Sequence, residues 1–182
     1  MKTIKGPGIF LAQFVGKDKP FDNLKNICDW ANNLGYKSVQ IPTWEKGLID
    51  LKKAGESKTY CDEIKGIVNE AGMEISELST HLQGQLVASH YSYDKMFDAF
   101  APANLHGNVK DRTLWAIDQL KLASNASKHL GLTEIATFSG SLLFHTMYPW
   151  PQRPKGLVEA GFKELAKRWT PILDHFDNNG VD

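Results

Sequence analysis

The sequence predicts an α/β fold: the N-terminal half of a (β/α)8 barrel, about four βα units long, that stops at the start of a fifth strand. A strand-then-helix pattern occurs four times along the 182 residues. The connections from helix to strand are very short, whereas those from strand to helix, 42–57, 83–108 and 139–156, are long. A complete barrel of eight units typically needs about 250 residues. Parallel α/β folds carry their active sites at the C-terminal ends of the strands, so the long loops mark the functional end.

Each predicted element has a local signal. The strands are short apolar runs, and the helices have apolar residues at helical spacing. Gly35, Gly72 and Gly131 follow the first three helices as C-caps. In chain order, the predicted elements are strand 9–14, helix 21–34, strand 37–41, helix 60–71, strand 74–82, helix 109–130, strand 134–138 and helix 157–178.

The last residues predict that the barrel is incomplete. Asn and Gly at 178–180 form a helix C-cap, and Val181 then has the character of the first residue of a strand. We therefore expect residues 1–182 to be a single partial domain of a longer parent protein. The rival architecture, a doubly wound open sheet, would place a glycine-rich phosphate loop after the first strand, and residues 13–17 lack its spacing.

Composition restricts the classes of partner. Lys+Arg and Asp+Glu both number 21, which gives a net charge of zero. Nucleic-acid-binding domains usually carry a basic surface, so we expect no nucleic-acid partner. The apolar run 9–15 is too short to cross a bilayer and has no cleavage signature, so we expect no membrane partner and no targeting signal. Cys28 and Cys61 are expected to be buried free thiols rather than a disulfide or metal pair, which fits a reducing cytoplasm.

His81 is the candidate catalytic residue. Strand alternation would place Ser79, His81 and Gln83 on one face of the third strand, and Leu78 and Leu82 on the other. The leucines must face the helices, so the polar face should point into the barrel mouth. A neutral imidazole there could move a proton or bind a sugar hydroxyl. A histidine that only satisfies a loop carbonyl is an equal alternative.

Polar and aromatic residues near the other strand ends are candidate substrate contacts. Gln40 lies between Val39 and Ile41, whose side chains should pack against helices, so Gln40 should face inward and need a partner. Trp150 and Arg153 lie in a proline-rich loop that could cover the mouth or pack against a neighbouring subunit of a homo-oligomer. For each candidate a purely structural role remains open. The substrate-binding candidates are Gln13, Gln40, Trp44, Gln83, Ser139, Trp150 and Arg153.

A metal site cannot be built from these residues. No set of carboxylates gathers at the predicted strand ends, where Glu45 is the only near candidate, and H-E-x-x-H and C-x-x-C motifs are absent from the sequence. A hard divalent ion needs several oxygen ligands held together. We therefore expect no metal ligand within residues 1–182.

Four segments, 79–85 (STHLQGQ), 96–102 (MFDAFAP), 137–140 (TFSG) and 148–154 (YPWPQRP), carry a family resemblance. They resemble the sugar phosphate isomerase/epimerase family, whose fold is a xylose isomerase-like TIM barrel, and the resemblance extends over essentially the whole chain. It implies a metal-dependent enzyme that moves a proton next to the carbonyl of a small sugar or sugar phosphate. A divalent ion (Mn, Mg, Co or Zn) would polarise the substrate oxygens, and glutamates would be the acid and base.

The resemblance also implies what this half of the barrel contributes. The family's metal ligands lie on strands five to eight, so we expect them beyond Asp182 and expect the 182-residue chain alone to be inactive. Sugar positioning would come from His81, Gln83, Trp44 and their neighbours. A DNA-repair endonuclease of the same superfamily is one alternative, disfavoured by the neutral charge. A non-catalytic sugar-binding half-barrel is the other.

Overall fold

The computed structural model describes residues 5–146, 150 and 152–182. Four parallel strands form one sheet in the order β1-β2-β3-β4, so every strand pairs with its neighbours in sequence. This is the topology of half a (β/α)8 barrel, and the predicted fold class is confirmed. The strands are β1 (Gly8–Phe10), β2 (Ser38–Pro42), β3 (Glu74–Ser79) and β4 (Ile135–Ala136).

Four of the helices complete the βα units, and three shorter ones lie in the connections that follow β2 and β3. In the described part of the chain, the helices are α1 (Leu24–Asn33), α2 (Leu51–Glu56), α3 (Lys58–Glu70), α4 (His81–Gln85), α5 (Asp94–Phe97), α6 (Val109–Leu130) and α7 (Leu157–Asn179). The helix that follows β1 was predicted to start at 21. It begins later because the Asn23 side chain caps it, accepting a hydrogen bond from the Asn26 N–H at 2.9 Å.

The main core lies between the sheet and the helices. Val39, Ile41 and Leu78 are fully buried there, as the alternation along β2 and β3 predicts. Cys28 and Cys61 are buried and free, as expected. Burial raises the pKa of the Cys28 thiol to about 12 and that of Cys61 to about 11, so both remain protonated at neutral pH.

Three predicted strands are shorter than the sequence indicated: β4 covers only Ile135–Ala136 of the predicted 134–138, and β1 and β3 end early. β1 ends at Phe10, because residues 11–13 turn into a short 3-10 helix with Leu11 fully buried. β3 ends at Ser79, because Thr80 leaves the extended conformation (φ −125°, ψ 34°) and α4 starts at His81. The prediction that these strands continue to residues 14 and 82 was wrong. The backbone bends across the ends of the strands instead.

The last residues lie beside β4. The Asp182 N–H donates to the Thr133 carbonyl at 2.7 Å, and the Ile135 N–H donates to the Asp182 carbonyl at 2.9 Å. This is the pattern of a parallel strand pair. It lies on the edge of β4 opposite Thr80, whose N–H donates to the Ala136 carbonyl at 2.9 Å. None of the helices described combines the length and the apolar character needed to cross a membrane.

Candidate functional site

Each of the four strands carries a ring at or just beyond its C-terminal end. Phe10 is the last residue of β1, and Trp44, His81 and Phe138 each stand two positions after the end of β2, β3 and β4. Because the strands are parallel, their C-terminal ends meet at one edge of the sheet, and the four rings meet there too. We call these four residues the strand-end ring group.

His81 is the centre of the strand-end ring group. Its imidazole stacks on the Phe138 ring, with centroids 4.4 Å apart and an interplanar angle of 15°. The Phe10 ring packs edge-on against it at 5.3 Å, and the Trp44 ring lies at 6.1 Å. Phe138 is 55% exposed, so a ligand at the strand ends can reach its ring. The structure therefore places His81 at the exit of β4.

A polar pair lies on the strands that carry this group. The Gln40 amide Nε2 donates to the Glu77 carboxylate Oε1 at 2.5 Å. A register shift brings the two together: Val39 pairs with Ile75, but Gln40 pairs with Glu77, and Ser76 is skipped. Gln40 therefore has the partner that an inward-facing amide needs. Glu77 was missed from sequence, although alternation from Ser79 back along the strand was a signal that could have found it.

His81 has an environment that favours the neutral imidazole. Burial lowers the pKa of His81 below its ordinary 6.5, while the Glu77 charge acts in the opposite direction. The Nδ1 atom is buried and has no hydrogen-bond partner among the described residues. At neutral pH the side chain can therefore accept or donate a proton.

We expect His81 to titrate below 6.5 and Glu77→Gln to lower its pKa further, because the substitution removes a negative charge that favours the imidazolium. The unfolded state binds the proton more tightly, so the free energy of unfolding should fall as the pH decreases from 6.5 toward the folded pKa. NMR titration of the imidazole protons measures the pKa in both proteins, and urea unfolding at several pH values measures the free energy. Glu63→Gln, which changes an exposed carboxylate on α3, is the control. A higher His81 pKa in Glu77→Gln would contradict the expectation.

The structure separates two candidates from His81. Gln83 was expected on the same face, but both residues lie in α4, where side chains two positions apart do not share a face. Gln83 is 2% exposed and lines a cavity elsewhere. The shared-face prediction was wrong because it extended strand alternation into a helix. Gln13 is exposed in the 3-10 turn after β1 rather than in the strand.

The β4 connection carries the last three candidates. Ser139 is exposed, and its carbonyl accepts a hydrogen bond from the Trp169 indole at 2.9 Å, which attaches the β4 exit to α7. Trp150 is 72% exposed, and Arg153 is also exposed. Residues 148, 149 and 151 of the same segment lie outside the described residues. Roles in substrate binding for these side chains stay predictions.

The residues present do not fit a metal ion. Across the described ranges, no three His, Cys, Asp or Glu side chains form a group that could hold one. The strand ends offer His81 and Glu77, and Glu77 already accepts a hydrogen bond from Gln40. The several oxygen ligands that a hard divalent ion requires are not supplied by this set.

Comparisons with known proteins agree on one fold. Residues 28–182 match the model of a family described as xylose isomerase-like TIM barrel. A xylose isomerase domain protein from Planctomyces limnophilus is similar in structure, with 14% identity and a TM-score of 0.55 over 100% of this chain and 53% of that one. A comparison with curated protein sequences gave no match.

Two further solved structures are similar. The 3-keto-D-glucoside 4-epimerase from E. coli has 13% identity and a TM-score of 0.57, over 96% of this chain and 52% of that one. A xylose isomerase-like TIM barrel protein from Mycobacterium smegmatis, in complex with magnesium, has 14% identity and a TM-score of 0.56, over 99% and 54%. The chain thus spans about half the length of the solved structures it matches.

Proposed function

We propose that this chain, which belongs to the xylose isomerase-like TIM barrel family, is the sugar-binding half of an isomerase or epimerase. In this proposal residues 1–182 form one partial domain, and the parent protein moves a proton next to the carbonyl of a small sugar or sugar phosphate. The metal ligands and the proton-transfer glutamates would lie beyond Asp182. The E. coli epimerase and the magnesium-bound M. smegmatis protein, which share the fold, support this assignment.

The strand-end ring group is the observation that carries the proposal. Sugars combine apolar C–H faces with hydroxyl groups, and binding sites for such ligands combine apolar rings with a few placed polar groups. The rings of Phe10, Trp44 and Phe138 supply the apolar surface around His81. His81 supplies a polar side chain beside these rings, and its buried Nδ1 has no hydrogen-bond partner among the described residues.

Phe138→Ala should weaken the binding of a small sugar about tenfold without a comparable loss of stability. The ring is half exposed, so its removal leaves no sealed core cavity, but it removes the surface against which His81 stacks. Calorimetric titration of the protein with a panel of free ketoses and aldoses measures the affinity. Phe162→Ala is the matched control, because Phe162 is 64% exposed and lies on α7. Equal effects of the two substitutions, or none, would remove the support for a sugar site here.

His81→Ala should lower the kcat of the parent enzyme strongly, whereas its Tm should change little. General acid–base catalysis typically contributes 10²- to 10⁴-fold, so a loss of roughly 10²-fold or more is expected if His81 transfers a proton. Steady-state kinetics and thermal melting of the same preparations separate the two effects. A Tm loss with unchanged activity per folded molecule would make His81 structural. If the parent protein binds sugar but does not turn it over, the result would favour the alternative of a non-catalytic sugar-binding half-barrel.

A further inference from the structure

We propose that a cavity of about 570 Å³ beside α4 binds a small organic anion that has an apolar face and a hydroxyl group. The cavity is open to solvent on one side and is lined by the segment after β2, by the start of α2, by α4, by residues 99–102 and by the first half of α6. Its residues include Gln83 of α4 but not His81. The cavity is therefore distinct from the surroundings of His81, and Trp44 is the one member of the strand-end ring group that contributes to its lining.

The polar anchor of the cavity is the Gln83 amide. Gln83 is 2% exposed, and its Oε1 atom has no hydrogen-bond partner among the described residues. A buried carbonyl oxygen without a donor is unfavourable, and a ligand that brings a donor removes that penalty. A hydroxyl group on the ligand meets this requirement.

Part of the wall is apolar and lies next to a buried ion pair. The indoles of Trp44 and Trp115 line the cavity together with residues 99–102, which are Ala, Phe, Ala and Pro. That segment directly follows Asp98, whose carboxylate accepts a hydrogen bond from the fully buried Arg112 guanidinium at 2.7 Å. Because this contact anchors residues 99–102, a ligand has less ordering of that segment to offset, and flat rings favour a ligand with an apolar face.

The charge at the cavity is positive. Lys46 and Lys52 both line it, and neither forms an ion pair within the described part of the chain. Asp50 is the only carboxylate among the described lining residues, and its Oδ1 already accepts the Lys53 N–H that caps α2. Two ammonium groups against one engaged carboxylate favour an anionic ligand.

The test uses four probes and amide-resolved NMR of the protein. Glucuronate carries the required carboxylate and hydroxyl groups on a sugar ring, and 4-hydroxybenzoate carries them on an aromatic ring. Glucose lacks the charge, and inorganic phosphate lacks the apolar face. We expect at least one of the two organic anions to bind more tightly than both comparison probes and to shift the amide signals of Trp115 and Gln119. The probe that binds more tightly shows whether the cavity prefers a sugar ring or an aromatic ring.

Lys46→Ala/Lys52→Ala should weaken that binding roughly tenfold, because it removes both unpaired ammonium groups. Lys110→Ala/Lys163→Ala, two exposed lysines that do not line the cavity, is the matched control and should leave affinity unchanged. Gln83→Leu should also weaken binding while the Tm is maintained.

Three results would overturn the assignment. The first is that neither organic anion binds. The second is that glucose or phosphate binds as tightly as the two organic anions. The third is that the shifts occur at Phe10 and Phe138 instead of Trp115 and Gln119. The first two are judged only from the shifts of Trp115 and Gln119, so a sugar that binds at the strand ends, which Phe138→Ala tests separately, does not count toward them.

Discussion

Gly84→Ala is expected to destabilise the protein by about 3 kcal/mol. Gly84 is buried in α4, and a Cβ at this position would lie far inside van der Waals contact with the Phe138 carbonyl oxygen and the Thr137 hydroxyl. The carbonyl belongs to the backbone at the exit of β4, so the clash is relieved only by moving α4 away from that exit. Urea unfolding monitored by circular dichroism measures the loss.

Gly66→Ala is the matched control for that substitution. Gly66 lies inside α3, no atom comes within 4 Å of the position its Cβ would take, and alanine is the better helix former. The variant should gain about 0.5–1 kcal/mol. If both variants lost the same stability, the contact between α4 and the β4 exit would not be the cause.

Gly84→Ala should also disturb the strand-end ring group. His81 begins α4 and Phe138 follows β4, so the stacking of their rings depends on how closely the helix approaches the strand exit. We expect Gly84→Ala to weaken sugar binding beyond what the unfolded fraction explains. Binding measured in the cold, where the variant is folded, separates the two contributions.

The sequence was sufficient for the order of strands and main helices because those signals are periodic. The alternation of Val39 and Ile41 in β2 and the apolar stripe of α1 (Leu24, Ile27, Cys28 and Ala31) are recognisable from sequence, and the glycines that follow the helices mark their ends. The short helices in the connections were missed. For α2 a signal was present, since Asp50 is an N-cap whose side chain accepts the Lys53 N–H.

The candidate site was only partly predictable because it depends on where the strands stop. Side chains alternate between the two faces only while the chain is extended. Thr80 leaves the extended conformation one residue before His81. Gln83 was assigned to the wrong face for this reason. Phe10 and Phe138 gave no signal, because an isolated phenylalanine in the sequence is as compatible with the core as with a site. Only the parallel arrangement of the strand ends brings these rings together.

Arg112→Met is the second substitution with a large expected effect, a loss of about 3 kcal/mol or more. Arg112 is fully buried, and its Nη1 donates to the Asp94 carbonyl at 2.6 Å and to the Asp98 carboxylate at 2.7 Å. Methionine keeps part of the volume but leaves both acceptors without their donor. Chemical denaturation measures the change, and Lys25→Met is the control. Lys25 pairs with Asp29 on the exposed face of α1, where such pairs contribute at most about 1 kcal/mol.

The region that loses protection in Arg112→Met shows whether Arg112 anchors one segment or stabilises the whole domain. Arg112 joins α6 to the segment around α5, which packs a small separate cluster of Leu86, Phe97 and Ala116. If the guanidinium holds this segment in place, amide hydrogen exchange in Arg112→Met should accelerate first at residues 94–108, while β2 and α3 stay protected. Anion binding in the adjoining cavity should weaken in the same variant, because residues 99–102 form its wall. Uniform acceleration of exchange across β2 and α3 would show instead that Arg112 stabilises the whole domain, and that the segment does not depend on this one contact.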